Sequence, residues 1–193
     1  MRLGLYVGSF NPIHNGHVKI VDSIIKNKYV DKVFIIPTKN YWHKNSLVSI
    51  EHRVNMLKFF ETDNIIIHSE YSDLEYTYQI IEKLKEKYKN DSFYLIIGAD
   101  NIINFDKWMK YEELLKLNLI IINRDGIDIK YYLNKLKKLD KFIIMDIKNI
   151  DISSTKIREN INNKRVLKNY LNHNVIDYIY RNKLYDCDFI SNA

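Results

Sequence analysis

The sequence predicts an α/β protein: a doubly wound parallel sheet followed by a small C-terminal helical extension. Three observations carry this expectation. Short apolar runs rich in Ile, Val and Leu recur along residues 1–150, and their continuous apolarity fits strands buried on both faces. Amphipathic stretches with helical spacing separate them, as the crossovers of a parallel sheet require. The residues with the most chemical potential stand directly after these runs, at the strand ends where open α/β sheets bind ligands.

Taken in order, residues 2–7 read as the first strand. A helix over 16–28 follows, with Val18, Val21, Ile24 and Ile25 on one face. Residues 33–36 form the second strand, stopped by Pro37, and a polar loop spans 38–48. Ser49 caps a helix over 50–60 that turns Val54, Leu57 and Phe60 inward. Residues 65–67 are the third strand, and 76–89 a helix with Ile80, Ile81 and Leu84 as its stripe. Residues 93–97 are the fourth strand, ended at Gly98; 110–117 are helical, and 119–122 are the fifth strand. A helix at 128–138 and a strand at 141–145 complete the core, and helices at 154–162 and 172–182 form the extension. No repeat or linker interrupts the chain, so a single domain over 1–193 is expected, with a core at 1–150 and a helical part at 151–186.

Hydrophobic residues make up 46% of the 193, enough for a sizeable core. The net charge of +6 suits an anionic ligand. Lysines interspersed with acids on solvated faces would give the same balance. No helix-turn-helix pattern or aromatic-basic stripe supports a nucleic-acid partner. A lone Cys187 excludes a disulfide framework and a cysteine-based metal site, and fits a reducing cytoplasm. No signal-peptide pattern opens the chain and no apolar stretch approaches a membrane span, so a soluble cytoplasmic protein without a membrane partner is expected. The pattern leaves assembly into a homo-oligomer open.

Residues 8–17 stand out, because two of five glycines and one of two prolines fall within them. Gly8 permits a sharp turn and close ligand approach, Pro12 stiffens the turn, and Gly16 opens a helix whose N-terminus attracts anions. His14 and His17, three residues apart, can face one side and donate hydrogen bonds to phosphate oxygens. A histidine at a helix start can also serve as a cap. Two histidines without a third nearby ligand make no zinc site, and no Walker or dinucleotide glycine pattern is present. Ser153, Ser154 and Thr155 precede another helix, as a cap or as anion donors, with Arg158 one turn on.

Gly8, Phe10, Pro12, His14, Gly16 and His17 resemble the signature of the nucleotidyltransferases related to class I aminoacyl-tRNA synthetases. Residues 152–158, Ile-Ser-Ser-Thr-Lys-Ile-Arg, resemble its second signature. The resemblance implies a Rossmann-like nucleotidyltransferase fold. It implies ATP held by Gly8, Ser9, Phe10, Gly16 and the 153–155 turn, and catalysis carried by His14, His17 and Arg158. Within this superfamily the chain is similar from end to end to bacterial nicotinate mononucleotide adenylyltransferases, through Tyr76-Thr77, the run Ile96-Ile97-Gly98-Ala99-Asp100 with Phe105 and Trp108, and the ending around residues 175–185.

That likeness implies that Trp108 stacks on the pyridine ring, that amides around Thr77 and Phe105 read its carboxylate, and that Lys39, His43 and Lys44 bind the mononucleotide phosphate. Asp100 and Arg124 are then expected at ATP, and Asn11 and Tyr76 at the acceptor. Without the resemblance Trp108 reads as core, Thr77 and Asp100 as helix caps, and 39–44 as an exposed basic loop. The sequence departs from the family at Asn11, where Asp is usual, at Glu75 for Ser, at Tyr41-Trp42 for proline, and at Asn123 for a basic residue. The expected reaction is attack of the mononucleotide 5′-phosphate on the α-phosphorus of Mg-ATP, giving deamido-NAD and pyrophosphate. Mg²⁺ is expected on phosphates and waters, without a protein metal site. Nicotinamide mononucleotide, pantetheine phosphate and a non-catalytic nucleotide sensor are the alternatives.

Overall fold

A computed structural model describes residues 1–39, 47–124, 126–147 and 152–186. Its strands are β1 (Arg2–Gly8), β2 (Lys32–Pro37), β3 (Ile65–Ile67), β4 (Ser92–Gly98), β5 (Asn118–Asn123) and β6 (Phe142–Asp146). They form one sheet in the order β3-β2-β1-β4-β5-β6, and every neighbouring pair is parallel. The order reverses between β1 and β4, which opens a crevice beyond their carboxyl ends.

The helices are α1 (Asn15–Lys26), α2 (Ile50–Lys58), α3 (Thr77–Lys87), α4 (Ala99–Ile103), α5 (Tyr111–Leu115), α6 (Ile129–Lys135), α7 (Ser154–Glu159), α8 (Lys164–Tyr170) and α9 (His173–Arg181). They cover both faces because successive strand side chains alternate. Val33, Ile35, Ile120 and Ile122 pack with α1, α2 and α7 to α9. Phe34, Ile36, Leu119 and Ile121 pack with α3 to α6.

The C-terminal helices share the core of the first face. Ile157, Leu167, Val175 and Ile179 are fully buried there. Burying such a side chain contributes about 1.5–3 kcal/mol. That tertiary packing is what makes a six-residue helix such as α7 stable, since a helix this short is unstable alone in water.

All six strands stand where the apolar runs predict them. Pro37 ends β2 as its last residue, opposite Gly8, rather than lying outside it. Two helices depart from the expectation. α4 starts directly at the end of β4 and is too short to show a period. α8 buries only Leu167, so its sequence carries no apolar stripe.

Candidate active site

At the switch point lies a cavity of about 580 Å³. Gly8, Ser9 and Phe10 line it from the end of β1, and Thr38 and Lys39 from the end of β2. Gly98 comes from the end of β4, Asp100 from α4, Arg124 from just after β5, and Ser154 from α7. Segments far apart in sequence thus meet at one sheet edge.

The turn after β1 is tightly built. Phe10 takes a left-handed conformation (φ 45°), strained for a residue with a side chain. A Cβ on Gly8 would come within 3.3 Å of its ring, so any larger residue there would press on Phe10. His14 is the N-cap of α1, and the two histidines cap each other. His17 N–H donates to His14 Nδ1 at 3.4 Å, and His14 N–H donates to His17 Nδ1 at 3.3 Å. Their rings stack at 3.7 Å. The cap of α1 and the cavity wall therefore share one residue, His17.

Because both Nδ1 atoms accept, the proton of each neutral ring sits on Nε2. Burial, and then the nearby Arg124 guanidinium, push the His14 pKa down to about 3. Burial, then His14, then Arg124 hold His17 well below its ordinary value. Both rings are thus neutral at pH 7, each with its proton on Nε2. His17 faces the cavity, walled by Phe10 and Tyr6, whereas His14 is 2% exposed behind it. The Cε1 resonances of both histidines are expected to show no titration in an NMR series from pH 8 to 5; a midpoint near the unperturbed value of about 6.5 in either would contradict this. The unfolded chain takes up these protons and the folded chain does not, so stability is lost as pH falls below about 6.5.

The second motif is joined to the first. Ser154 Oγ donates to Pro12 O at 2.9 Å, across 142 residues of sequence. Arg158 Nη1 donates to Asn11 O at 2.8 Å, and Nη2 to Thr155 Oγ1 at 3.2 Å. Ser153 is the N-cap of α7, and its hydroxyl accepts from Lys156 N–H. Among these residues Ser154 lines the cavity; Ser153 and Thr155 are exposed beside it.

The structure places Asn11 behind the turn. Its side chain is 1% exposed, and its Oδ1 accepts from Val48 N–H at 3.3 Å and Tyr185 O–H at 2.9 Å. It supports the turn from behind instead of facing a ligand. Gly16 is likewise buried in the first turn of α1, away from the cavity wall.

Tyr76, Thr77 and Trp108 line the opposite side. Thr77 opens α3, and Gln79 Oε1 accepts from Tyr76 N–H at 2.9 Å. The Phe105 side chain is fully buried and stacks against Trp108 at 5.1 Å, so only its backbone is available to a ligand. It fixes the Trp108 ring from beneath. Lys39 pairs with Asp73 at 2.5 Å. His43 and Lys44 lie outside the described residues. Asn101, Lys107 and Met109 also line the cavity and went unnoticed in the sequence, where they carry no motif.

Gly98 caps α4, and a Cβ there would come within 2.2 Å of Asp100 Oδ1. Gly98→Ala is expected to displace this carboxylate, raising KM for ATP several-fold while the thermal midpoint changes little. An unchanged KM in steady-state kinetics would contradict the placement of Asp100 at ATP. Among the described residues no trio of His, Cys, Asp or Glu converges on a metal position. No helix among them is long and apolar enough to cross a membrane.

The family model described as cytidylyltransferase-like matches residues 5–160. A protein of Borrelia garinii, described as a probable nicotinate-nucleotide adenylyltransferase, is 35% identical, with 96% of this chain and 95% of that protein covered. A Clostridium perfringens protein of the same description is 33% identical over 95% of this chain and 98% of its own length. The Plasmodium falciparum nicotinic acid mononucleotide adenylyltransferase, solved in complex with NaAD, superposes with a TM-score of 0.82 at 26% identity, covering 97% of this chain and 98% of that one. With the two signatures joined at one switch-point cavity, the chain belongs to the nicotinate-nucleotide adenylyltransferases of the cytidylyltransferase-like family.

Proposed function

We propose that this cavity moves the adenylyl group of Mg-ATP onto the 5′-phosphate of nicotinate mononucleotide, releasing pyrophosphate and forming deamido-NAD in NAD biosynthesis. The observation that carries it is the clasp between the two signatures: Ser154 and Arg158 both bond the turn that holds His14 and His17. One rigid unit can thus address one triphosphate.

The attacking phosphate is anionic at neutral pH, so alignment and charge stabilisation suffice without a strong general base. His17, backed by His14, donates Nε2–H to the phosphate where charge accumulates. Arg158, with the first turn of α7, holds the departing β- and γ-phosphates. Gly8 to Phe10 let the triphosphate approach the backbone, with Asp100 and Arg124 at the nucleoside and phosphates. Trp108 stacks on the pyridine ring, Tyr76 and Thr77 with the Phe105 backbone read its carboxylate, and Lys39 with His43 and Lys44 meets the acceptor phosphate. Among the described residues the cavity carboxylates are Asp100 and Glu75, and Mg²⁺ would arrive on the phosphates of ATP. We place the reaction in the cytoplasm and in one domain spanning the whole chain.

Supplying Mg-ATP with nicotinate mononucleotide, nicotinamide mononucleotide or pantetheine phosphate, and measuring pyrophosphate, tests this. Release is expected with nicotinate mononucleotide at the highest kcat/KM. Preference for the nicotinamide form would overturn the acceptor assignment, and silence with all three would favour a nucleotide-binding module.

A further inference from the structure

We propose that Arg53 is a positioning residue that sets the phosphate-binding turn against the end of β2, so that both substrates are held in line. Its side chain leaves α2 on the inward face and is 2% exposed. Nη1 donates to Ser9 O and Thr38 O, each at 2.7 Å, and Nε donates to Val48 O at 3.1 Å. Ser9 and Thr38 both line the cavity, one after β1 and one after β2. A single guanidinium therefore fixes the spacing between the two strand ends.

A second tie reinforces it. Val48, whose carbonyl Arg53 holds, donates its N–H to Asn11 Oδ1, and Tyr185 O–H donates to the same oxygen. The segment ahead of α2, the phosphate turn and the C-terminal end of the described chain are thus locked together. Among the described residues, the hydrogen-bond partners of Arg53 are backbone carbonyls. Burying a cation among neutral dipoles is costly, and the carbonyls it satisfies would be left unpaired without it. A planar fork with directed donors is what three divergent carbonyls need, and a lysine ammonium cannot reproduce it.

Lys138 offers a control. It too is a buried cation bonded to backbone carbonyls, Leu115 O at 2.6 Å and Leu117 O at 2.9 Å, yet it lies outside the cavity. The inference rests on the adenylyl-transfer assignment, which wild-type turnover checks in the same assay. Pyrophosphate release and thermal midpoints are measured for wild type, Arg53→Lys, Tyr185→Phe and Lys138→Met. Arg53→Lys is expected to lower kcat by about 10²-fold and to raise KM for both substrates. Lys138→Met is expected to lose stability while kcat and KM stay within about two-fold of wild type. Tyr185→Phe is expected to lower kcat several-fold at an unchanged midpoint. Turnover of Arg53→Lys near the wild-type rate, or no lower than Lys138→Met at equal loss of midpoint, overturns the proposal. If Arg53→Lys does not fold, wild-type kcat in Tyr185→Phe overturns it.

Discussion

Replacing His17 with alanine is expected to lower kcat by about 10²–10³-fold, the usual cost of removing one donor from a developing anion. The variant loses the cavity-lining imidazole with its Nε2–H, and the Nδ1 that accepts from His14 N–H. The second loss weakens the cap of α1 by about 0.5–2 kcal/mol. That is tolerable, because Ile20, Val21 and Ile24 still anchor the helix in the core. The defect therefore appears in turnover and not in folding. His17→Asn, which keeps a donor and an acceptor at shorter reach, is expected to fall between alanine and wild type. Circular dichroism confirms the fold and pyrophosphate release reads the rate. Full activity in a folded His17→Ala chain would remove this residue from the mechanism.

Arg158→Ala is the second large effect. The guanidinium bridges the phosphate turn and α7 through Asn11 O and Thr155 Oγ1. Its removal leaves a carbonyl of the turn without its charged donor and takes away the cation intended for the leaving pyrophosphate. Hydrogen bonds to a charged group contribute about 1.5–3 kcal/mol each, so kcat/KM for ATP is expected to fall by about 10²-fold. Arg158→Lys is expected to recover little of this, since an ammonium cannot fork onto both partners. Steady-state kinetics over a range of ATP concentrations measures it; a lysine variant matching wild type would show that charge alone suffices.

The sheet was legible because its strands are short, apolar on both faces and bounded by polar turns. The cavity was legible where a motif carried it, at Gly8 to Phe10, His17 and Ser154. What escaped depends on long-range contacts. Arg53 stands on the apolar face of α2 beside Met56 and Leu57, and a charge on that face is the one local signal of its role. Tyr185 meets Asn11 across 174 residues, which no local pattern encodes. The inward turn of the Asn11 side chain was not legible, because its motif neighbours line the cavity. The reciprocal cap between His14 and His17 was half visible, as a histidine that could cap and a pair that could bind.

The central claim is that His17, backed by His14, acts as a neutral donor to a direct displacement and not as a nucleophile. The stereochemical course at phosphorus tests it most directly. With one diastereomer of adenosine 5′-O-(1-thiotriphosphate) and nicotinate mononucleotide, a single in-line attack predicts inversion of configuration in the dinucleotide product. Retention would require two displacements through a covalent adenylyl-enzyme, with His17 the first suspect, and would contradict the account.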